Sequence, residues 1–541
     1  MLCCVELSEL ARPLLYEWAD SQSDHLEDYL KNIVLGTTLT AVFLIGGFYH
    51  LQDKEQTEHV EIPYIKAVYS QPVTYDPAQM NDGASLIFSE LVYEGLLRFT
   101  ETYGIQSGIA KSWSTSKDGK TITFILNEKA RFHNGDKITA SDVVVSLSRM
   151  LAPESKVYKY YDMISGSNEY HKGKSKILSG IKAINDHTIT IELKSPFPPI
   201  LYVLAGGTAK VLPAKLIDNK DFFINPIGSG PFRISELGKI DIELNRFDKY
   251  HGETPKIKRL VLRAINQNKA MKEAKAGALH DLSSWPLSGM EEIFEQGQDF
   301  STVVADTWVI GFNTRIAPLN DLKVRKAFQQ SINAEKFRTT FYPSAAQAHG
   351  YVPVGFPGHV KMPKKIERVE IPKHSQITIT IPQGLDKTNE IADFFEQSLK
   401  SKGWNIKTEV MEWTEMMKRY EAKTLHTFLV SMIVDYPDSE FLLNKFSSNN
   451  PDNYSGIKDQ LIDSLLITAR GMQDRVKRFK VYKKIAKRID DLALTANLFH
   501  SRPHYWVHEC VRGFKPNLLA VAYIDYRKVS FDNSCFKGVN K

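Results

Sequence analysis

The chain has 541 residues, and its 69 basic and 63 acidic side chains give a formal net charge of +6. Hydrophobic residues make up 43% of the chain and charged residues 24%, a balance that excludes bulk disorder and a polytopic membrane protein. Four cysteines are too few for a disulfide framework, and a charge of +6 does not by itself indicate nucleic-acid binding. The length predicts a folded protein of several lobes.

The chain opens with an acidic leader and an apolar segment. Residues 1–32 carry seven acidic and two basic side chains, and residues 33–48 carry no charge. The apolar run is slightly shorter than the ~20 residues that cross a bilayer comfortably. Because the leader is acidic and no small-residue cleavage site follows, we expect residues 33–49 to be an uncleaved transmembrane anchor; an export signal and a buried helix are the alternatives. Residues 50–62 form a polar tether.

From about residue 63, β-rich runs alternate with helical patterns, which predicts α/β architecture. The predicted strands are 121–126, 188–193, 232–235, 240–245, a run within 301–312, 377–381 and 405–410. The predicted helices are 143–150 after the capping pattern Thr139-x-x-Asp142, 321–333, 388–400 and 475–488. The order of strands and helices indicates a separate α/β lobe from about 309 to 500.

The sequence lacks the motifs of common catalytic and metal sites. Gly173-Lys174-Ser175 has no glycine five residues before it, so it is not a phosphate loop. His500, His504 and His508 recur at intervals of four, but Pro503 would break a helix, and a strand would spread them too far apart for one metal. We therefore predict no enzyme, no metal and no cofactor.

The segment 475–488 holds eight basic residues, and apolar residues recur in it at helical spacing. This pattern is typical of an amphipathic helix with a solvated basic face, and an anionic membrane or nucleic acid is the alternative partner. Near the C-terminus, Cys510 and Cys535 either pair in an oxidising compartment or remain two buried thiols.

Short segments spread along the chain match, in order, the conserved motifs of one known family. They are Tyr75-Asp76-Pro77, 91–97 (LVYEGLL), 109–113 (IAKSW), 123–143 (TFIL…FHNGD…SDV), 228–232 (GSGPF), 312–314 (FNT), 324–327 (VRKA), 434–438 (VDYPD) and 453–456 (NYSG). Over about 65–515 the chain resembles the extracellular solute-binding protein family 5, the substrate receptors of peptide- and nickel-type ABC importers.

The resemblance implies a periplasmic-binding-protein-like clamshell with two α/β lobes and an extra domain inserted in the first lobe. By analogy, lobe one comprises 63–83, 209–308 and 501–541, the inserted domain comprises 84–208, and lobe two comprises 309–500. A ligand would bridge the lobes and favour the closed form, which an importer recognises.

The resemblance also implies a ligand site. In peptide-binding relatives, the Asp of the "ADY" motif holds the ligand ammonium, and here that position is Asp435. The alternative is an Asp that caps the following helix, for which Asp438 is the better candidate. The predicted ligand-binding residues are Asp435, Trp413, Tyr436, Trp308 and Gln71. Of these, Trp413 matches a cleft tryptophan of relatives, although core packing is an equally good explanation.

The chain departs from the family beside the motif. Oligopeptide receptors carry an Arg and a Trp six and three residues before the motif Asp, where this chain has Leu429 and Met432. A carboxylate partner is therefore missing from that strand. Either the ligand C-terminus is held elsewhere, or an apolar wall accepts a hydrophobic peptide or another amphipathic solute.

The implied protein is an extracytoplasmic, monomeric substrate-binding protein, held at the inner membrane by residues 33–49. It would capture peptides or peptide-like solutes and deliver them to the membrane subunits of an ABC importer. The alternative is a membrane-tethered sensor of the same fold, which the unusual leader suggests. A hydrolase and a nucleic-acid-binding protein are less well supported by the residues.

Overall fold

The computed structural model describes residues 62–532 except 103, 220, 285–296, 363–369, 374, 517 and 520–522. The predicted leader and membrane segment, and the tether up to residue 61, lie outside the described residues, as does Cys535. Where the structure is described, the helices are all too short or too polar to cross a membrane. Contacts separate the chain into Met1–Ile62 and Pro63–Lys541, and the described strands and helices belong to the second unit.

The strands of the described residues are numbered in chain order. They are β1 Tyr64–Val68, β2 Leu97–Phe99, β3 Ile105–Ser107, β4 Ala110–Thr115, β5 Thr121–Leu126, β6 Ile181–Asn185, β7 Thr188–Glu192, β8 Phe232–Leu237, β9 Asp241–Arg246, β10 Arg259–Ala264, β11 Gly297–Ser301, β12 Asp306–Phe312, β13 Ala346–Gln347, β14 Ile377–Pro382, β15 Ile406–Met411, β16 Thr427–Ile433, β17 Thr495–His500, β18 His504–His508, β19 Val511–Arg512 and β20 Ser530–Phe531.

The α-helices are numbered in the same way. They are α1 Gly83–Val92, α2 Ala140–Met150, α3 Tyr158–Tyr161, α4 Ser167–His171, α5 Ile200–Val203, α6 Gln267–Lys275, α7 Leu322–Ser331, α8 Ala334–Phe341, α9 Thr388–Lys400, α10 Trp413–Glu421, α11 Glu440–Leu443, α12 Gln460–Arg470 and α13 Arg475–Asp491.

Three larger sheets organise these elements. The first has the order β1-β10-β9-β8, with β1 and β10 parallel and the other pairs antiparallel. The second has the order β4-β5-β7-β6 and is antiparallel throughout. The third is six-stranded, with the order β13-β17-β12-β16-β14-β15 and parallel pairing only around β14. This mixture of parallel and antiparallel strands with helices confirms the predicted α/β content.

The third sheet is covered on both faces. One face packs in a buried cluster that includes Ile310, Leu429 and Phe395 from α9, and the other packs in a cluster that includes Met432 and Ile485 from α13. Strand β16 pairs with β12 and β14 at its edges, and these two clusters cover its two faces. Such strands carry nearly continuous apolar runs, as TFLVSMI does in β16.

The capping pattern predicted before the helix at 143–150 is confirmed at the start of α2. The Asp142 carboxylate accepts hydrogen bonds from the Thr139 backbone N–H at 2.8 Å and from the Thr139 hydroxyl at 2.7 Å. The same carboxylate also accepts a bond from the Ala214 backbone N–H at 2.9 Å. The capping residues therefore tie the start of α2 to the chain that leads into the first sheet.

The GSGPF segment packs closely against the end of α1. A Cβ atom on Gly228 would lie 1.9 Å from the Val92 carbonyl oxygen, and one on Gly230 would lie 2.6 Å from the Val92 carbonyl carbon. Backbone atoms cannot move aside as a flexible side chain can, so these two positions require glycine. The segment thereby fixes the approach of β8 to α1.

Candidate functional site

Asp435 lies just beyond the end of β16, beside the crossing between two sheets. Ile433, the last residue of β16, pairs with Asp306, the first residue of β12. The Val434 N–H donates a hydrogen bond to the Ala305 carbonyl at 2.9 Å. Residues 302–305 lead from β11, which pairs with β18, into the six-stranded sheet. The motif therefore begins beside the segment that connects two different sheets.

The Asp435 carboxylate accepts a hydrogen bond from a distant part of the chain. The Tyr160 hydroxyl, from the short helix α3, donates a hydrogen bond to Asp435 Oδ2 at 2.7 Å. Tyr160 belongs to the part of the chain that builds the β4-β5-β7-β6 sheet, whereas Asp435 follows the six-stranded sheet. This contact joins residues 275 positions apart. An accessible carboxylate between two parts of the chain can form a charge-assisted hydrogen bond with a cation.

The Asp435 carboxylate is accessible to water and nevertheless has a raised pKa. Its side chain remains accessible to water, although protein surrounds it closely. Loss of surrounding water raises the pKa of Asp435, while the Tyr160 hydrogen bond and the Lys445 ammonium act in the opposite direction. Burial, followed by the charge of Asp435 and the hydrogen bond, raises the pKa of Tyr160. Tyr160 therefore acts as a hydrogen-bond donor.

Asp438 performs the structural role that was the alternative for Asp435. It is fully buried, its Oδ1 accepts a hydrogen bond from the Glu440 N–H at 2.9 Å, and its Oδ2 lies 3.2 Å from Arg478 Nη2. The buried Arg478 guanidinium therefore has its counter-ion in Asp438. Because Asp438 already accepts the backbone hydrogen bond in the turn into α11, Asp435 is not needed to cap that helix.

Tyr436 packs into the core. It is 7% exposed and belongs to the buried cluster around the β4-β5-β7-β6 sheet. Its hydroxyl donates a hydrogen bond to Glu440 Oε2 at 3.1 Å, and its ring lies 5.3 Å from that of Phe441. The side chain thus anchors the motif loop to the cluster around the β4-β5-β7-β6 sheet.

The other three predicted residues lie apart from this contact. Trp308 Nε1 donates a hydrogen bond to the Ser501 hydroxyl at 3.1 Å, and its ring stacks on Phe499 at 5.5 Å. Trp413 begins α10 and is 49% exposed. Gln71 Nε2 donates hydrogen bonds to the carbonyls of Lys239 and Ile240, in the β8–β9 turn. Among the hydrogen bonds and ring contacts of the described residues, none joins these three to Asp435.

Of the two alternatives for the strand before the motif, an apolar wall formed by Leu429 and Met432 does not fit their burial. Leu429 is 0% exposed and Met432 is 5% exposed, and they lie in the clusters on opposite faces of the six-stranded sheet. The cover on both faces of β16 explains this burial. Ile433, 62% exposed, is the apolar side chain of that strand that remains accessible.

Sequence reasoning missed two tyrosines near Asp435. Tyr160 contacts it directly, and the charge of Asp435 contributes to the raised pKa of Tyr523, whose main cause is burial. The Tyr523 hydroxyl accepts a hydrogen bond from the Gly207 N–H at 3.3 Å, and its ring meets Phe99 edge-on at 5.1 Å. The aromatic sequence YKYY of α3 was the available signal for Tyr160.

The histidines and the cysteine singled out in the sequence each have contacts of their own. His500 Nδ1 lies 2.8 Å from the Asp306 carbonyl, and His504 Nδ1 lies 2.8 Å from Asp299 Oδ2. Within the described ranges, no group of three or more His, Cys, Asp or Glu side chains could hold a metal ion. Cys510 is disulfide-bonded, and its predicted partner lies outside the described residues.

Comparison with known proteins agrees with this architecture. A sequence profile of "Bacterial extracellular solute-binding proteins, family 5 Middle" matches residues 104–454, more than half of the chain. Dipeptide-binding protein DppE of Bacillus subtilis (strain 168) is 25% identical over 509 residues, which cover 88% of this chain and 93% of that protein.

Two solved structures illustrate the shared fold. The periplasmic murein tripeptide binding protein MppA, in its unliganded open form, gives a TM-score of 0.76 at 19% identity, covering 87% of this chain and 98% of the other. The periplasmic binding protein DppA from Helicobacter pylori, in complex with the peptide STSA, gives 0.68 at 23% identity, covering 86% and 98%. These structures are two-lobed and mixed α/β, and the likeness shows that this chain shares that fold.

Proposed function

Because the chain belongs to the bacterial extracellular solute-binding proteins of family 5, we propose that it captures peptides or peptide-like solutes between its two lobes and delivers them to an ABC importer. The observation that carries this proposal is the accessible Asp435 carboxylate, which accepts a hydrogen bond from Tyr160. The relative DppE is a dipeptide-binding protein, and the structural relative DppA holds a peptide, which supports a peptide-like ligand.

We propose two lobes and an inserted domain, each built around one of the three larger sheets. Lobe one comprises 63–83, 209–308 and 501–541 and contains the β1-β10-β9-β8 sheet; the inserted domain, 84–208, contains the β4-β5-β7-β6 sheet; lobe two, 309–500, contains most of the six-stranded sheet. In this division, the boundary between lobe one and lobe two at 308/309 falls within β12. Residues 33–49 would anchor the body, as a monomer, on the outer side of the inner membrane.

Asp435 would hold the ammonium group of the solute. A carboxylate with a raised pKa gains more from a nearby cation than a fully hydrated one, because less water competes for it. The Tyr160 hydroxyl can keep its hydrogen bond to one carboxylate oxygen while the ammonium occupies the other. Trp413, Trp308 and Gln71 would take part only if the solute extends towards their separate positions.

The test is to replace Asp435 by Asn, which keeps the shape and removes the charge. The purified full chain is exposed to a library of di- to pentapeptides, and the captured peptides are measured by mass spectrometry. Leaving the ammonium without its counter-ion should cost about 2–5 kcal/mol, which is about 30-fold or more in affinity. The control is Asp393→Asn, which removes the same charge from an exposed site on α9.

Two outcomes would count against the proposal. Equal capture by the native chain and the Asp435→Asn variant would remove Asp435 from the site. Absence of any captured peptide with the native chain would contradict peptide binding itself.

A further inference from the structure

A groove of about 500 Å³ lies beside the Asp435 motif. Thr102, from the β2–β3 turn, lines one side of it, and Pro437 and the loop 355–359 line the other. The first turns of α13 complete the wall with Arg475, Val476, Phe479, Lys480 and Lys483. The groove is therefore built mainly by proposed lobe two, and Thr102 of the proposed inserted domain borders it.

The charged side chains of this groove are basic. Arg475, Lys480 and Lys483 are exposed, and none of them forms an ion pair with another described residue. The described lining contains no acidic side chain. The Arg475 guanidinium lies 5.2 Å above the Phe479 ring, a contact that positions it without neutralising its charge. An anionic group in this groove would meet several cations and no competing carboxylate.

A second charged cavity in the described part of the chain does not share this imbalance. This cavity, of about 330 Å³, is lined by basic residues that include Lys515, Arg527 and Lys528, and also by acids that pair with them. Glu101 lies 2.8 Å from Lys515 and 2.6 Å from Lys528, and Arg527 pairs with Asp525. The groove beside Asp435 is different because its cations have no such partners in the described part of the chain.

The floor of the groove is apolar. Val476 is 66% exposed, Phe479 is half-buried, and Phe356 and Pro437 contribute carbon surface. A carboxylate attached to a hydrocarbon stem suits this arrangement, because the stem covers the apolar floor while the charged end reaches the bases.

The groove begins close to Asp435. Pro437 follows Asp435 by two residues, so their Cα atoms are at most about 7 Å apart. An extended peptide advances about 3.3 Å per residue, so a peptide of two to four residues with its ammonium at Asp435 could reach the groove.

We propose that this groove holds the carboxylate end of the captured solute, with Lys480 and Lys483 as the residues that determine specificity for it. This site depends on the proposed function and deepens it: the preferred ligand is a short peptide with a free C-terminal carboxylate. It also accounts for the absent arginine at Leu429, because that position is buried in the sheet and the carboxylate partners come from α13 instead.

The experiment compares two peptide libraries of di- to pentapeptides, one with free C-termini and one with amidated C-termini. The full chain should capture the free-acid library about tenfold better, because amidation removes the charge that the lysines bind. The double variant Lys480→Gln, Lys483→Gln should lose most of this preference. The control variant Lys484→Gln, Lys487→Gln removes two exposed charges from the same helix outside the groove and should keep it.

Equal capture of the two libraries by the native chain would overturn the carboxylate site and leave the proposed function standing. An unchanged preference in the Lys480→Gln, Lys483→Gln variant would also overturn it, because the carboxylate would then be held elsewhere. Capture of neither library would contradict the proposed function, and the carboxylate site with it.

Discussion

The hydrogen bond from Tyr160 to Asp435 has a testable consequence for the pH dependence of binding. Replacing Tyr160 by Phe removes a donor that favours the ionised carboxylate, so the pKa of Asp435 should rise further above its ordinary value. A hydrogen bond to a charged group contributes about 1.5–3 kcal/mol when buried. Because the Asp435 side chain is accessible, water replaces part of this hydrogen-bond energy. We therefore expect a loss of about 1 kcal/mol, which raises the pKa of Asp435 by ~0.7 of a unit.

The consequence for binding has a definite sign. An ammonium binds the ionised carboxylate, so affinity is present above the pKa of Asp435 and is lost as the pH falls through it. In the Tyr160→Phe variant this loss should begin about 0.7 of a unit higher in pH. The assay is isothermal calorimetry, from pH 7 to pH 3.5, with the peptide that the native chain captures best.

A matched control comes from the same short helix. The Tyr158 hydroxyl donates a hydrogen bond to Asn168 Oδ1 at 2.7 Å, so Tyr158→Phe removes an equivalent group away from Asp435. Its pH profile should match that of the native chain. Identical profiles for Tyr160→Phe and the native chain would refute the role assigned to this hydrogen bond.

Two further predictions concern stability. Asp438→Ala leaves the buried Arg478 without its counter-ion and should lower the free energy of unfolding by about 3–5 kcal/mol in urea titrations. The control Lys477→Ala breaks an exposed ion pair on the same helix and should change this free energy by less than about 1 kcal/mol. Equal effects of the two substitutions would contradict the role assigned to Asp438. Burial lowers the pKa of His133 and of His500 to about 4, so the unfolded chain binds protons first and stability should fall as the pH drops from about 6.5 towards 4. Unfolding titrations at pH 7, 6 and 5 should show a slope that becomes shallower in His500→Asn, and an unchanged slope would contradict this.

Much of the fold could be predicted where local patterns are complete. Helix α9 has the predicted bounds, because Ile391, Phe395 and Leu399 recur at helical spacing and are buried on one face. Strand β14 follows from the β-branched run ITITI. The run within 301–312 contains β12, but local pattern could not show that 302–305 separates two strands belonging to different sheets.

The candidate site could be predicted only in part. Asp435 stands out because its motif is contiguous, whereas Tyr160 is brought to it by folding from 275 residues away. The burial of Leu429 and Met432 depends on the helices that cover both faces of the six-stranded sheet, which the apolar run alone does not distinguish from a wall that lines a cleft. Tyr436 likewise belongs to the family motif, but its side chain packs into the cluster around the β4-β5-β7-β6 sheet.

The most direct measurement is a crystal structure of the full chain with the solute that it captures from a peptide library. We predict density between the two halves of the fold, with an ammonium nitrogen about 2.7–3.2 Å from an Asp435 carboxylate oxygen. A solute bound elsewhere, or bound between the halves with Asp435 still contacted only by Tyr160, would contradict the proposed capture site.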